Sequence, residues 1–105
     1  MDSIHKVILS KNARRQLDRI LGYYALDLSN VKIAKDILKD ARATKEKLLQ
    51  HVHEFQLCND EYMAGLGFRK VYFENHDYMM IYLVDANIVT VTAIYQMSPA
   101  DSDNV

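Results

Sequence analysis

The stretch that decides the fold covers residues 67 to 95 and reads GFRKVYFENHDYMMIYLVDANIVTVTAIY. It contains three β-prone runs separated by two polar turns, Asn75–Asp77 and Asp85–Asn87. Each turn is short enough to join neighbouring antiparallel strands. We therefore predict an antiparallel three-stranded meander in the second half of the chain.

The residues before the meander predict one strand and two helices. A β-prone run, Ile4–Leu9, precedes Ser10, which stands where a helix N-cap is expected. Apolar residues then recur at helical spacing over residues 11–28 and 31–52. Because the connection between these segments is so short, we expect the two helices to form an antiparallel hairpin. Residues 54–66 are predicted to be a loop.

Together these elements predict an α+β domain that takes in residues 1–105. An N-terminal strand, the two-helix antiparallel hairpin and the three-stranded antiparallel meander should form one small sheet with the helices on one face. Side-chain alternation places Arg69 and Lys70 on opposite faces of the first meander strand. In the last strand, either the set with Ile88 or the set with Val89 can face the helices. The polar, acidic residues after Tyr95 are expected to fray.

Charge is divided unevenly along the chain, although the formal net charge is only −1. Residues 1–56 carry eleven Lys or Arg and seven Asp or Glu, whereas residues 57–105 carry two and seven. The two cations of the sheet half are Arg69 and Lys70. Nucleic-acid binding draws most of its affinity from Lys and Arg contacts to phosphates, so this half is a poor candidate for it. A protein partner of mixed charge fits the composition better.

Other features argue against several classes of function. No apolar run approaches the ~20 residues that span a bilayer, and the N-terminus lacks a secretory pattern. We therefore expect a cytoplasmic protein without a membrane partner. The single cysteine, Cys58, cannot form an internal disulfide. His51 and His53 are two residues apart on a predicted helix and point in different directions, so we expect no metal and no other cofactor.

Four segments carry a family resemblance when they are taken in order. They are Lys11–Tyr24, with the spacing Ala-x-x-x-Leu-x-x-Ile-x-x-Tyr-Tyr, Gly67–Lys70, Tyr78–Tyr82 and Val91–Tyr95. In this order and over this length, the chain resembles the RelE/ParE superfamily of toxins from bacterial type II toxin–antitoxin pairs. The resemblance implies a cognate antitoxin protein as partner, and roles in growth inhibition and plasmid stabilisation.

The superfamily contains two activities, so the resemblance implies two alternative targets. ParE-like members poison DNA gyrase. RelE-like members cleave messenger RNA on the ribosome, using sheet arginines and lysines with a histidine or tyrosine. This chain has Met79 and Gln96 where cleaving members often place a cation and an acid–base residue. Gyrase inhibition is therefore favoured, and the alternatives are the ribosome-dependent ribonuclease and an inactive toxin-like binding module.

If the chain does cleave RNA, the resemblance leaves three catalytic candidates. These are Arg69, Lys70 and Tyr95, with His76 and Tyr78 as supporting groups. Three of the five also have a structural interpretation, namely an ion pair for Arg69, a turn position for His76 and packing against the helices for Tyr95.

The end of the first predicted helix carries more apolar surface than one core-facing stripe requires. Tyr23, Tyr24, Leu26 and Leu28 spread around the helix. The resemblance implies an antitoxin peptide laid along the helices and the sheet. We therefore predict these four residues as antitoxin-binding anchors.

Overall fold

The computed structural model describes the chain at residue 4 and over residues 6–97. The prediction that the C-terminal tail frays falls mainly on residues 98–105, which lie outside the described residues. The elements, in chain order, are β1 (Lys6–Leu9), α1 (Lys11–Gly22), a π-helix (Tyr23–Asp27), α2 (Val31–His51), α3 (Glu61–Gly65), β2 (Arg69–Tyr72), β3 (Tyr78–Asp85) and β4 (Ile88–Gln96).

The four strands form one sheet with the spatial order β1-β4-β3-β2. β2, β3 and β4 pair antiparallel, as the meander predicts. β1 joins the sheet in parallel, with Lys6 opposite Ile88 and Leu9 opposite Val91. This strand is shorter than predicted, because Ile4 lies outside it. The order of elements and the mainly antiparallel sheet confirm the α+β fold.

The two long helices bury their apolar stripes on one face of this sheet. The core draws on both helices and all four strands, and its members include Leu17, Ile37, Leu48, Tyr82 and Val91. Burial of this apolar surface is the main favourable term for such a fold.

Side-chain caps fix where the helices begin. The Ser10 hydroxyl accepts a hydrogen bond from the backbone N–H of Ala13 at 3.1 Å, which confirms the predicted N-cap of α1. Asn30 plays the same part for α2, since its side-chain oxygen accepts from the N–H of Ile33 at 3.2 Å.

The prediction of one continuous α-helix over residues 11–28 is wrong in its last turn. α1 ends at Gly22, and the chain continues as the π-helix. There the backbone N–H of Leu28 donates to the carbonyl oxygen of Tyr23, five residues earlier, at 3.0 Å. Ser29 then takes a φ of 50°, a left-handed conformation that stops the helix.

The predicted loop over residues 54–66 is partly ordered as secondary structure. It contains α3, which begins where the Asp60 carboxylate accepts a hydrogen bond from the N–H of Met63 at 2.9 Å. It also contains Leu57, which forms an isolated antiparallel bridge with Arg69 at the edge of the sheet. Sequence periodicity missed both because each is too short to show a pattern.

β4 presents neither of the two alternating sets to the helices along its whole length. Its register against β3 shifts at Thr92, because Val91 and Ala93 pair with consecutive residues of β3. Such a β-bulge moves the following side chains to the other face. Val91 is therefore buried in the core before the bulge, and Ile94 is buried there after it.

Candidate functional site

Arg69 lies on the helix side of β2, at the C-terminal end of α2. Its Nη1 donates to the carbonyl oxygen of Phe55 at 2.5 Å. The Tyr82 hydroxyl donates to the carbonyl oxygen of Val52 at 2.8 Å. Carbonyls at the end of a helix lack helical partners, and Tyr82 satisfies the one of Val52, which caps α2. Arg69 satisfies a carbonyl of the segment that follows the helix. Burial raises the pKa of Tyr82, and the positive charge of Arg69 opposes that rise.

Lys70 points to the opposite face of the sheet and is 3% exposed. Its Nζ donates to the side-chain oxygen of Asn59 at 2.8 Å and lies 5.6 Å from the centroid of the Tyr72 ring. None of the carboxylates in the described part of the chain forms an ion pair with it. The ammonium group is thus buried with a neutral amide and an aromatic face as its contacts.

A cavity of about 470 Å³ lies beside Lys70 on this face. Its walls are mainly apolar, and burial there raises the pKa of the Cys58 thiol, while the charge of Lys70 acts in the opposite direction. We call it the Lys70 cavity and define it by Cys58, Met63, Lys70, Met79, Ile81 and Tyr95.

The three catalytic candidates do not come together. Lys70 and Tyr95 border the same cavity. Arg69 is separated from both by the sheet, because it lies on the helix side. His76 is bound elsewhere, since its Nδ1 lies 2.7 Å from a carboxylate oxygen of Asp40 on α2. Tyr95 is 40% exposed and borders both the Lys70 cavity and a groove beside α1.

Tyr78 and Gln96 border a different groove, of about 530 Å³, between α1, the π-helix and the ends of β3 and β4. The Tyr78 hydroxyl donates to the hydroxyl of Tyr24 at 3.4 Å. Burial is the largest cause that raises the pKa of Tyr78, so its phenol stays protonated at neutral pH. The groove beside α1 therefore offers aromatic and amide groups rather than a base. Met79, by contrast, is buried in the wall of the Lys70 cavity.

An exposed apolar patch surrounds the π-helix. Tyr23 is 50%, Leu26 78%, Leu28 50% and Val31 53% exposed, and we call these four residues the helical apolar patch. Three of them are predicted antitoxin anchors. Tyr24, the fourth predicted anchor, is only partly exposed and packs against the core. Val31 was missed because it stands at the start of α2, where periodicity says little about its direction.

Sequence reasoning also missed the contacts of Asp40. Its side chain is 1% exposed, and its oxygens accept from the backbone N–H groups of Glu74 at 3.3 Å and Asn75 at 2.9 Å, as well as from the ring of His76. The carboxylate therefore holds the β2–β3 turn against α2. The available signal was its position three residues after Ile37, within the apolar stripe of the helix.

The described residues contain neither a metal-binding cluster nor a membrane-spanning helix. At residue 4 and over residues 6–97, no three His, Cys, Asp or Glu side chains come close enough to hold a metal ion. In the same part of the chain no helix is long and apolar enough to span a bilayer.

Several solved structures share the fold of this chain. The chromosomal ParDE toxin–antitoxin system from P. aeruginosa matches with a TM-score of 0.72 and 17% identity, over 89% of this chain and 96% of that one. The toxin–antitoxin complex RelBE2 from Mycobacterium tuberculosis matches with a TM-score of 0.57 and 15% identity, over 91% and 93%. The conserved hypothetical protein HP0894 from Helicobacter pylori matches with a TM-score of 0.55 and 18% identity, over 87% and 92%. The chain therefore shares its fold with structures of the ParDE and RelBE2 toxin–antitoxin systems.

The sequence itself identifies the protein family. Residues 7–98 match the family model of the ParE toxin of the type II toxin–antitoxin system parDE. The chain therefore belongs to the ParE toxin family and is a toxin of a type II toxin–antitoxin system. Comparison with curated protein sequences gave no significant match.

Proposed function

We propose that this chain inhibits bacterial growth by binding DNA gyrase, and that a cognate antitoxin neutralises it. The observation that carries the choice of target is the separation of the two sheet cations. Arg69 is bonded to Phe55 on the helix side, whereas Lys70 is buried on the other side. Cleavage of a phosphate ester needs cations and an acid–base group around one phosphate. Inhibition by protein contact needs a surface and no such cluster.

Ribosome-dependent cleavage of messenger RNA is the second candidate. Lys70 and Tyr95 border one cavity, which is the observation in its favour. A general acid or base typically contributes about 10²- to 10⁴-fold, and one transition-state donor about 10²- to 10³-fold. Met79 and Gln96 supply neither contribution at their positions. The third candidate is a toxin-like module that binds a partner and has no toxicity.

The helical apolar patch is the surface that best fits the antitoxin. Its exposed Tyr23 and Leu26 are the kind of apolar anchors on which protein interfaces depend. Arg19 borders the adjacent groove, and the helical half of the chain is basic, so an acidic apolar segment would be complementary. The ParDE and RelBE2 structures of the same fold are toxin–antitoxin systems.

Replacing Tyr23 and Leu26 by aspartate tests this surface. Hot-spot residues contribute about 2 kcal/mol or more, so each change should weaken the antitoxin complex by about 30-fold or more. The isolated chain should stay folded, because both side chains are exposed. Ala43→Asp, at an exposed position of α2, is the matched control. Calorimetry with the product of the neighbouring gene measures the affinity. Equal affinity of the Tyr23→Asp, Leu26→Asp and Ala43→Asp variants would place the antitoxin elsewhere.

Expression without the antitoxin separates a toxin from an inactive module. Growth should slow when the chain is induced alone and recover when the neighbouring gene is expressed with it.

A translating extract tests the alternative function, the ribosome-dependent ribonuclease. We expect primer extension to show no cleavage that depends on the codon in the ribosomal A site. Such cuts, abolished by Lys70→Met, would reverse the choice of target.

A further inference from the structure

The outer surface of the two long helices is strongly basic. Residues 11–51 carry ten Lys or Arg and five Asp or Glu, whereas the rest of the chain carries three and nine. α1 and α2 contact each other and bury their apolar stripes against the same face of the sheet, so their opposite sides share one outer surface. Six exposed cations on this surface form what we call the helical basic face, namely Lys11, Arg14, Arg15, Lys35, Lys39 and Arg42.

These six charges are not neutralised within the described part of the chain. None of the carboxylates in that part forms an ion pair with any of them. Lys32 is left out of the face because it pairs with Asp36, and Arg19 because it borders the groove beside α1. Asp18 and Glu46 are exposed on the same helices. The surface therefore presents six cations against two carboxylates.

The spacing of these cations works against the helices that carry them. On α1, Lys11 stands four residues before Arg15. On α2, Lys35 stands four residues before Lys39. Like charges at this spacing destabilise a helix slightly, and a neutral residue of good helix propensity such as glutamine would avoid the repulsion. The arrangement is therefore better explained by a polyanion that binds outside the helices than by stability.

The lack of apolar anchors on this face selects the kind of polyanion. No large apolar side chain is exposed over residues 11–22 or 32–51, all of which the structure describes. Protein interfaces depend on aromatic or aliphatic anchors, and so do helices that lie on a membrane surface. Single-stranded nucleic acid binds by stacking on aromatic side chains. The phosphate backbone of a duplex needs only Lys and Arg, and it carries one charge for about every 1.7 Å of its axis.

We propose that the helical basic face binds the phosphate backbone of duplex DNA without sequence preference. The choice of DNA over duplex RNA rests on the proposed function, because gyrase acts on duplex DNA. The inference goes beyond that function, since it adds a direct contact with DNA to the contact with the enzyme. It also keeps the DNA surface apart from the helical apolar patch, which is proposed for the antitoxin.

Fluorescence anisotropy with a labelled DNA duplex of about 20 base pairs and the purified full chain tests the proposal. The binding constant should fall steeply with salt, because four phosphate contacts would give a slope of about −3.6 in the double-logarithmic plot. Arg15→Glu and Lys39→Glu should each weaken binding by about ten-fold or more at about 50 mM salt, and each should reduce the slope by about 1.

Lys6→Glu is the matched control, because it makes the same change of charge away from the helices. Lys6 is exposed on β1, and its neighbour Val7 is buried in the core, so Lys6 lies on the sheet face opposite the helices. Charges on that side are largely screened from DNA bound to the helices, so the affinity should change by less than about three-fold. An equal loss in all three variants would reveal a mere effect of net charge and would overturn the proposal.

Other outcomes of the same assay also decide. All three substituted side chains are exposed, so the variants should fold, and if one does not, the salt slope of the unsubstituted chain and the other variant still decide. No binding at low salt would overturn the proposal. A capped oligoglutamate that displaces the labelled DNA at a lower concentration than unlabelled duplex would assign the face to an acidic protein, and equal affinity for duplex RNA would overturn the choice of DNA.

The test separates this inference from the proposed function, because gyrase is absent from it. A chain that binds duplex DNA but leaves gyrase supercoiling intact would contradict only the proposed function. A chain that inhibits gyrase without binding the duplex would contradict only the DNA contact.

Discussion

Asp40→Ala should destabilise the fold more than any surface change on α2. The carboxylate accepts hydrogen bonds from Glu74, Asn75 and His76, and its side chain is 1% exposed. Its removal leaves the β2–β3 turn without this buried attachment to α2. Strand pairing between β2 and β3 and the partly exposed ion pair of Lys47 with Glu74, at 3.8 Å, would then have to hold that turn.

The expected magnitude follows from the exposure of the groups that lose their acceptor. A hydrogen bond to a charged group contributes about 1.5–3 kcal/mol. Glu74 and Asn75 are exposed, and the His76 side chain is 25% exposed, so water can replace part of the lost interaction. We therefore expect Asp40→Ala to lower the free energy of unfolding by about 2–4 kcal/mol, out of a total of about 5–15 kcal/mol for a domain.

Urea unfolding followed by circular dichroism measures this difference. Asp36→Ala is the matched control, because Asp36 lies one turn earlier on α2 and forms an exposed ion pair with Lys32 at 3.2 Å. Such surface pairs contribute about 0–1 kcal/mol. If the two variants differ by less than about 0.5 kcal/mol with unchanged m-values, the buried carboxylate adds nothing to stability and the prediction is wrong.

Two further predictions concern the backbone and the buried phenol. Ala86 has a φ of 55° in the β3–β4 turn, so Ala86→Gly should raise the free energy of unfolding by about 0.5–1 kcal/mol, whereas Ala43→Gly within α2 should lower it by about 1 kcal/mol in the same assay. Burial raises the pKa of Tyr82, so the folded chain resists ionisation of this phenol while the unfolded chain ionises near pH ~10. Stability should therefore fall as the pH rises above about 10, and it should fall less steeply in Tyr82→Phe; equal slopes in urea titrations would contradict this assignment.

Much of the fold could be predicted because it depends on neighbours in sequence. The Ser10 cap and the polar turns between the last three strands are local features. The β-bulge could not be predicted, because distant contacts support it. The carbonyl oxygen of Thr92 accepts hydrogen bonds from the side chains of Ser10 at 3.2 Å and Asn12 at 3.0 Å, which lie about eighty residues earlier in the chain.

The candidate site, like the fold, could be predicted only where it depends on local sequence. Strand alternation sufficed to place Arg69 and Lys70 on opposite faces. Strand alternation did not show which groups each of the two side chains contacts. Arg69 donates to the carbonyl oxygen of Phe55 because the segment that follows α2 lies next to it. Lys70 is buried beside Asn59 because residues 57–66 fold along the sheet instead of forming an open loop. Both outcomes depend on tertiary packing, which sequence periodicity does not encode.

Gyrase supercoiling in the presence of the purified chain tests the proposed function most directly. Relaxed plasmid, ATP and purified gyrase are incubated with increasing amounts of the chain, and the products are separated on an agarose gel. We expect supercoiling to fall as the chain is added and to recover when the antitoxin is present. Lys70→Met should inhibit as well as the unsubstituted chain, because the proposed mechanism requires no cleavage chemistry. Full supercoiling at a large excess of folded chain would contradict the proposed inhibition of gyrase.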